Sequence, residues 1–273
     1  MSDFSIFDDI DPEINHLNRA FPDLADGNEQ NNYFTSSTFN NSFNSVNFNS
    51  FSLIHINIRS INANSDSFVS YFSTLKLEFS VICLTETWSN EQNLLDNIFP
   101  SYKGFHTFRS IDRRGGCISV YVQNHLNVKF LPDFSCSLDF LESVIIQIQS
   151  RNKIINVGCF YRPPNSDHEF FINNFEDKIS RLNTNDQTCI ICGDFNYDLL
   201  KISSDTRTSN FYDTVSTLTL VPTITKPTRI EGESYSIPDN ILISHPIDLK
   251  IGILTFDLID HLPVFLICRN IFF

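Results

Sequence analysis

The chain of 273 residues is 41% hydrophobic, with 27 phenylalanines and only 8 glycines. That is enough apolar side chain for one or two packed domains and excludes a collagen-like, coiled-coil or wholly disordered chain. The net charge of −13 argues against a sequence-independent grip on nucleic acid and suits carboxylates gathered around a metal, so any contact with DNA has to rest on a local basic face. No apolar run reaches the ~18 residues of a membrane helix, and Met1-Ser2-Asp3-Phe4 opens without an apolar signal core, so no membrane partner is expected and the seven scattered cysteines are expected as reduced, intracellular thiols.

Taken in order, residues 1–30 carry eight acids against one base, and residues 1–50 hold ten asparagines and isolated phenylalanines without a clear period. This composition predicts a poorly ordered tail over 1–50, with at most a short helix over 12–20. From Phe51 the texture changes to short runs rich in Ile and Val, which read as core strands: residues 53–56, 81–84, 117–122, 144–148, 154–160, 189–192, 240–243 and 263–267. Helical spacing lies between some of them. Phe68, Phe72 and Leu75 share one face, Phe211, Val215 and Leu218 another. Phe171, Phe175, Ile179 and Leu182 follow a capping-box pattern, Ser166-Asp167-His168-Glu169. Residues 109–116 read as a polar loop with a hairpin turn at Arg113-Arg114-Gly115-Gly116. The elements do not alternate strictly, which favours packed sheets with outer helices.

Several predicted strands run directly into polar residues: Asn57, Glu86, Tyr161, Asp194 with Asn196, Asp239-Asn240 and Asp260-His261. Strand ends and their loops are where sites are built. A hard divalent cation needs only one or two carboxylates and keeps its waters; a second carboxylate can orient or deprotonate a water; a histidine held by an aspartate can stabilise charge on a phosphate.

In chain order, residues 51–57 with Arg59-Ser60, Ile82-Cys83-Leu84-Thr85-Glu86-Thr87-Trp88, Tyr161-Arg162-Pro163-Pro164, Gly193-Asp194-Phe195-Asn196, Pro227-Thr228-Arg229-Ile230, Asp239-Asn240-Ile241 and Asp260-His261-Leu262-Pro263 resemble the endonuclease/exonuclease/phosphatase fold. More narrowly they resemble the endonuclease domain of non-LTR retrotransposons, over about residues 51–270. The resemblance implies an α/β four-layer sandwich: two packed, mainly antiparallel or mixed β-sheets flanked by helices. It implies Mg²⁺-dependent cleavage of DNA, with Mn²⁺ as the alternative ion, and nuclear access if DNA is the substrate. Glu86 is implied as the principal metal ligand, with Asn57 in support and Asp260 beside the metal. Asp194 is implied to activate water, Asn196 to orient it, Tyr161 to bond the phosphate, and Asp239 to orient His261 against the scissile phosphate. Arg59, Arg109, Arg162 and Arg229 are expected to contact substrate, with Arg113, Arg114 and Lys226 nearby.

Arg59, Pro164 and Ile259 stand where family members often have an acid, an asparagine and a serine. Abasic-site repair or small-phosphoester phosphatase activity on the same fold, and a catalytically inert DNA-binding descendant, are the alternatives. No polymerase lies within these residues, so a reverse transcriptase encoded downstream is the expected partner if the chain is a piece of a larger element. Among bland readings, His55 and His168 are taken as structural, Trp88 as core or cleft wall, and Cys189-x-x-Cys192 as buried thiols, since no second pair completes a zinc ribbon.

Overall fold

The computed structural model describes residues 32–43, 50–109, 115–150, 153–182, 187–245, 248–256 and 259–269. One sheet is centred on the parallel pair β2 (Phe51–Asn57) and β3 (Val81–Thr85). Beside β2 lie β16 (Val264–Cys268), β15 (Leu249–Leu254) and β1 (Asn32–Phe34). Beside β3 lie β5 (Ile118–Gln123) and β4 (Tyr102–Thr107). The second sheet runs β11 (Val221–Pro222), β14 (Asp239–Ile243), β10 (Gln187–Asp194), β9 (Lys153–Tyr161), β8 (Glu142–Ser150) and β6 (Val128–Phe130), with β7 (Cys136–Ser137) also on β8. A small ribbon, β12 (Arg229–Glu231) with β13 (Ser234–Ser236), completes the strands.

The period-two pleat sorts each central strand between two cores. On β2, Phe51 and Leu53 point to the opposite sheet, while Ile54 and Ile56 face helices; on β3, Val81 and Cys83 divide from Ile82 and Leu84 in the same way. The outer face of the first sheet is covered by α1 (Ser36–Phe43), α2 (Ile61–Thr74) and α3 (Gln92–Asp96), through Phe39, Phe43, Ile61, Phe68 and Leu95. Over the second sheet lie α4 (His168–Leu182) and α5 (Thr206–Thr217), through Phe171, Phe175, Ile179, Phe211 and Val215. Two mixed sheets face to face with five helices outside are the expected four-layer sandwich.

Three local expectations need correction. Residues 32–43, expected in a poorly ordered tail, form β1 and α1: β1 pairs parallel with β15, and Phe39 and Phe43 enter an aromatic cluster with Phe265. Isolated phenylalanines give no period, but an open sheet edge and an apolar face supply the missing partners. The rest of the expected tail, with the helix over 12–20, lies outside the described residues, as does the Arg113-Arg114 turn. The N-cap of α4 is Asp167, not Ser166, since Asp167 Oδ1 accepts from the Phe170 amide at 3.0 Å. Strands β4 and β15 were not apparent in the apolar pattern, because Lys103, Gly104, Lys250 and Gly252 interrupt it.

Candidate active site

The site is built where the interior of the sandwich reaches its edge. Register places Glu142 opposite Tyr161, Tyr161 opposite Asp194, and Asp194 opposite Asp239, so β8, β9, β10 and β14 deliver one continuous polar row. Facing it from the first sheet are Asn57 and its register partner Thr85. The row depends on Gly193: a Cβ there would lie 1.9 Å from the Phe160 carbonyl oxygen, so β9 and β10 could not approach as they do.

Asn57 ties the two sheets together. Its Nδ2 donates to Glu86 Oε1 at 3.0 Å and to Asp194 Oδ2 at 2.9 Å, while its Oδ1 accepts from the Arg59 amide. The Tyr161 hydroxyl donates to the same Glu86 Oε1 at 2.8 Å, and the Trp88 indole donates to Oε2 at 3.1 Å. Glu86, Trp88 and Asn196 all adopt left-handed backbone, with φ of 54°, 53° and 50°. Such conformations cost free energy and persist only where the surroundings hold them. Asp239 Oδ2 accepts from His261 Nδ1 at 2.8 Å and from Thr228 Oγ1 at 2.8 Å. Its other oxygen, buried, has no hydrogen-bond partner and lies 3.9 Å from His55 Nδ1.

The electrostatics follow from burial. Removal from water, reinforced by the nearby Asp239 charge, pushes the Asp194 carboxyl up to about 7 despite the opposing effects of His261 and Asn57. Burial alone would lower His261; the charge and hydrogen bond of Asp239 outweigh it and lift the imidazole to about 9. Burial and the adjoining Glu86 and Asp194 charges drive the Tyr161 phenol upward, so it remains a donor.

Asp194, Asp239 and His261 each offer a ligand atom within 4.8 Å of the others, and Glu86 joins them through Asn57. Two carboxylates clustered with one imidazole, a third carboxylate linked to them through Asn57, and an unpartnered Asp239 oxygen fit a hard divalent cation. Glu86, Asp194 and Asp239 would hold it, with Asn57 in support. When bound, it would supply positive charge next to the phosphate.

Asp260 has a different place from the one expected. Its two oxygens accept from Arg59 Nη1 at 2.7 Å and Arg229 Nε at 2.8 Å, and His261 and the two arginines hold its carboxyl below the ordinary value in spite of partial burial. It anchors cations. Arg162 also departs from expectation. It is 4% exposed, donates to the Asn196 and Ser166 carbonyls, and lies over the Tyr197 ring at 4.2 Å. Its position beneath the Asp194 loop makes it a support. Arg109 is drawn inward by buried Glu142, which also accepts from the Cys117 amide. Arg59 and Arg229 keep exposed surface at the rim, and Lys226 is buried. The amide of Asn196 donates to Asp194 Oδ1 at 3.0 Å, and its side chain donates to the Arg162 carbonyl at 2.7 Å, so it braces the loop. Thr228, Glu142 and His55 were not anticipated in the site. Thr228 stood in a quoted motif without a role. The signal for Glu142 was an acid opening an apolar strand.

The sequence matches the model of the Endonuclease/Exonuclease/phosphatase family over residues 49–250. The protein is thus of a class of nucleases and phosphatases, generally hydrolases of phosphodiesters or phosphate monoesters, whose nucleases typically use divalent metal ions. The chain belongs to the endonuclease/exonuclease/phosphatase family. No curated protein matches it. Solved structures share the fold. The endonuclease domain of TRAS1, a telomere-specific non-LTR retrotransposon, is 14% identical with a TM-score of 0.63, covering 81% of this chain and 98% of that one. The AP endonuclease LMAP from Leishmania major is 12% identical with a TM-score of 0.64, covering 93% and 95%. The 3′ phosphatase NExo from Neisseria, bound to product DNA hairpin, is 13% identical with a TM-score of 0.60, covering 79% and 98%. The family match ends before His261, whose place in the site comes from the geometry.

Proposed function

We propose that the protein is a Mg²⁺-dependent DNA endonuclease of the non-LTR retrotransposon type, which nicks target DNA. Mn²⁺ is the alternative ion. The observation that carries this reading is the convergence of buried Asn57, Asp194, Asp239 and His261 with half-buried Glu86 from both sheets. Asp194, ionised above about pH 7, accepts a proton from the attacking water. His261, held protonated by Asp239, presents Nε2–H to the phosphate and stabilises the charge that develops there. Tyr161 and Asn57 fix Glu86. Arg59 and Arg229 at the rim supply charge for the DNA backbone, and the 45%-exposed Trp88 ring offers a face for a base. Arg59 and the Tyr161-Arg162-Pro163-Pro164 run favour the retrotransposon branch, whose TRAS1 domain shares the fold. In that reading the 3′ hydroxyl at the nick primes a reverse transcriptase encoded downstream, and the protein acts where it has access to nuclear DNA.

The test is nicking of supercoiled plasmid in Mg²⁺, run beside an abasic duplex and inositol phosphates. Preferred cleavage of intact plasmid, lost in Glu86→Gln and His261→Ala, is expected. Faster turnover of the abasic duplex or of the small phosphoester would reassign the substrate. DNA binding without turnover would mark an inert descendant.

A further inference from the structure

Directly beneath the polar row, the same strands carry a second convergent set. Two residues before Tyr161 is Cys159, two before Asp194 is Cys192, and these are register partners in the second sheet. Two before Thr85 is Cys83, which faces them from the first sheet. All three are buried free cysteines, and their sulfurs lie within 4.8 Å of one another. Cys189, the other half of the CxxC pair, lies three residues from Cys192 on a pleated strand and therefore points to the opposite face; it is not in the group. His55 is the register neighbour of Cys83 but is not in the group either: its Nε2 faces Thr85 Oγ1 at 3.2 Å and its Nδ1 faces Asp239 at 3.9 Å.

Three thiolates at the ~2.3 Å zinc–sulfur distance of a tetrahedral site have sulfurs about 3.8 Å apart. A contraction of no more than about 1 Å per edge would close the present triangle around an ion. Thiolate donors select soft ions and reject the hard cation suited to the row above. We propose that Cys83, Cys159 and Cys192 form a second metal centre, for a thiophilic divalent ion of the Zn²⁺ class. On binding, the three thiols release three protons to solvent, leaving a site of net charge −1. A bound ion would join β3 to β9 and β10 just below Asp194 and Tyr161, stapling the two sheets beneath the active site.

Cd²⁺ serves as probe for the full chain carrying Glu86→Gln and Asp194→Asn, so that the carboxylates no longer compete. One Cd²⁺ per chain by native mass spectrometry, a thiolate-to-metal charge-transfer band, persistence of both in excess Mg²⁺ and a raised Tm are expected. Cys83→Ser, Cys159→Ser and Cys192→Ser each abolish the band, and Cys189→Ser keeps it. Absence of the band, its survival in any of the first three variants, or its loss in Cys189→Ser overturns the proposal. Should a serine variant fail to fold, ¹¹³Cd NMR of the chain with all its cysteines decides: a sulfur-ligated chemical shift supports the site, and an oxygen-ligated shift or no bound signal overturns it.

Discussion

Two successive rungs of the second sheet differ by one pleat and by nearly everything chemical. The edge rung reads Glu142, Tyr161, Asp194, Asp239; the rung beneath it reads Val144, Cys159, Cys192, Ile241; the next reads Ile146, Val157, Ile190, Ile243. Backbone and register are continuous across all three. The lower rungs bury apolar surface and stabilise the fold. The edge rung buries carboxylates, and its cost is offset only in part by Asn57, Thr228, Arg109 and His261. The contrast separates the part of the sandwich that holds the sheets together from the part that acts on substrate.

The comparison breaks most visibly in activity. Glu86→Gln and His261→Ala are expected to lower the nicking rate by about 10²–10⁴-fold, with the fold intact by circular dichroism; near-normal rates in either would remove the edge rung from the chemistry. Ile241→Ala, two residues along β14 from Asp239, is expected to cost about 2–5 kcal/mol in urea unfolding while the folded fraction keeps turning over. A loss of activity greater than the loss of folded protein would show that the rungs are not separable.

The pH dependence sharpens the contrast. Asp194 has its folded value raised from 3.8 to about 7, and His261 from 6.5 to about 9. Each therefore favours the folded state below its unfolded value, and that stability is lost as pH rises through the folded value. Between about pH 4 and 9 both groups thus destabilise the fold on titrating, whereas turnover needs Asp194 ionised and His261 protonated. The rate in Mg²⁺ should form a bell with its upper limb near pH 9 and its lower limb below pH 7, since the cation beside Asp194 favours the ionised carboxylate. Asp194→Asn should abolish the rate and raise Tm above pH 7; a lowered Tm there would contradict the strained edge. The smallest effect is expected at the rim. Arg59→Ala should change stability by about 0–1 kcal/mol, because the Arg59 side chain is exposed, and should reduce the salt dependence of DNA binding by about one unit of slope. An unchanged slope would place Arg59 away from the phosphates.

Much of the site was legible because its residues end apolar runs. Asn57, Glu86, Tyr161, Asp194, Asp239 and His261 were all marked by position and chemical type, and the structure brings them together. The roles of the arginines were not legible. A guanidinium in a loop looks the same whether it meets a carboxylate at the rim, as Arg59 does, a buried carboxylate, as Arg109 does, or a tyrosine ring, as Arg162 does. Nor was α1, whose phenylalanines gain meaning from rings distant in sequence, Phe79 and, more than 200 residues away, Phe265.

Alternation and run length along single strands, together with the resemblance, determined the sandwich class and which polar types stand at the strand ends. Both are local properties, readable within a few residues. Register across strands was decided by the tertiary structure alone, since pairing depends on packing among segments distant in sequence. That register set Asp194 between Tyr161 and Asp239, gave both oxygens of Asp260 to arginines, and turned three unrelated cysteines into neighbours.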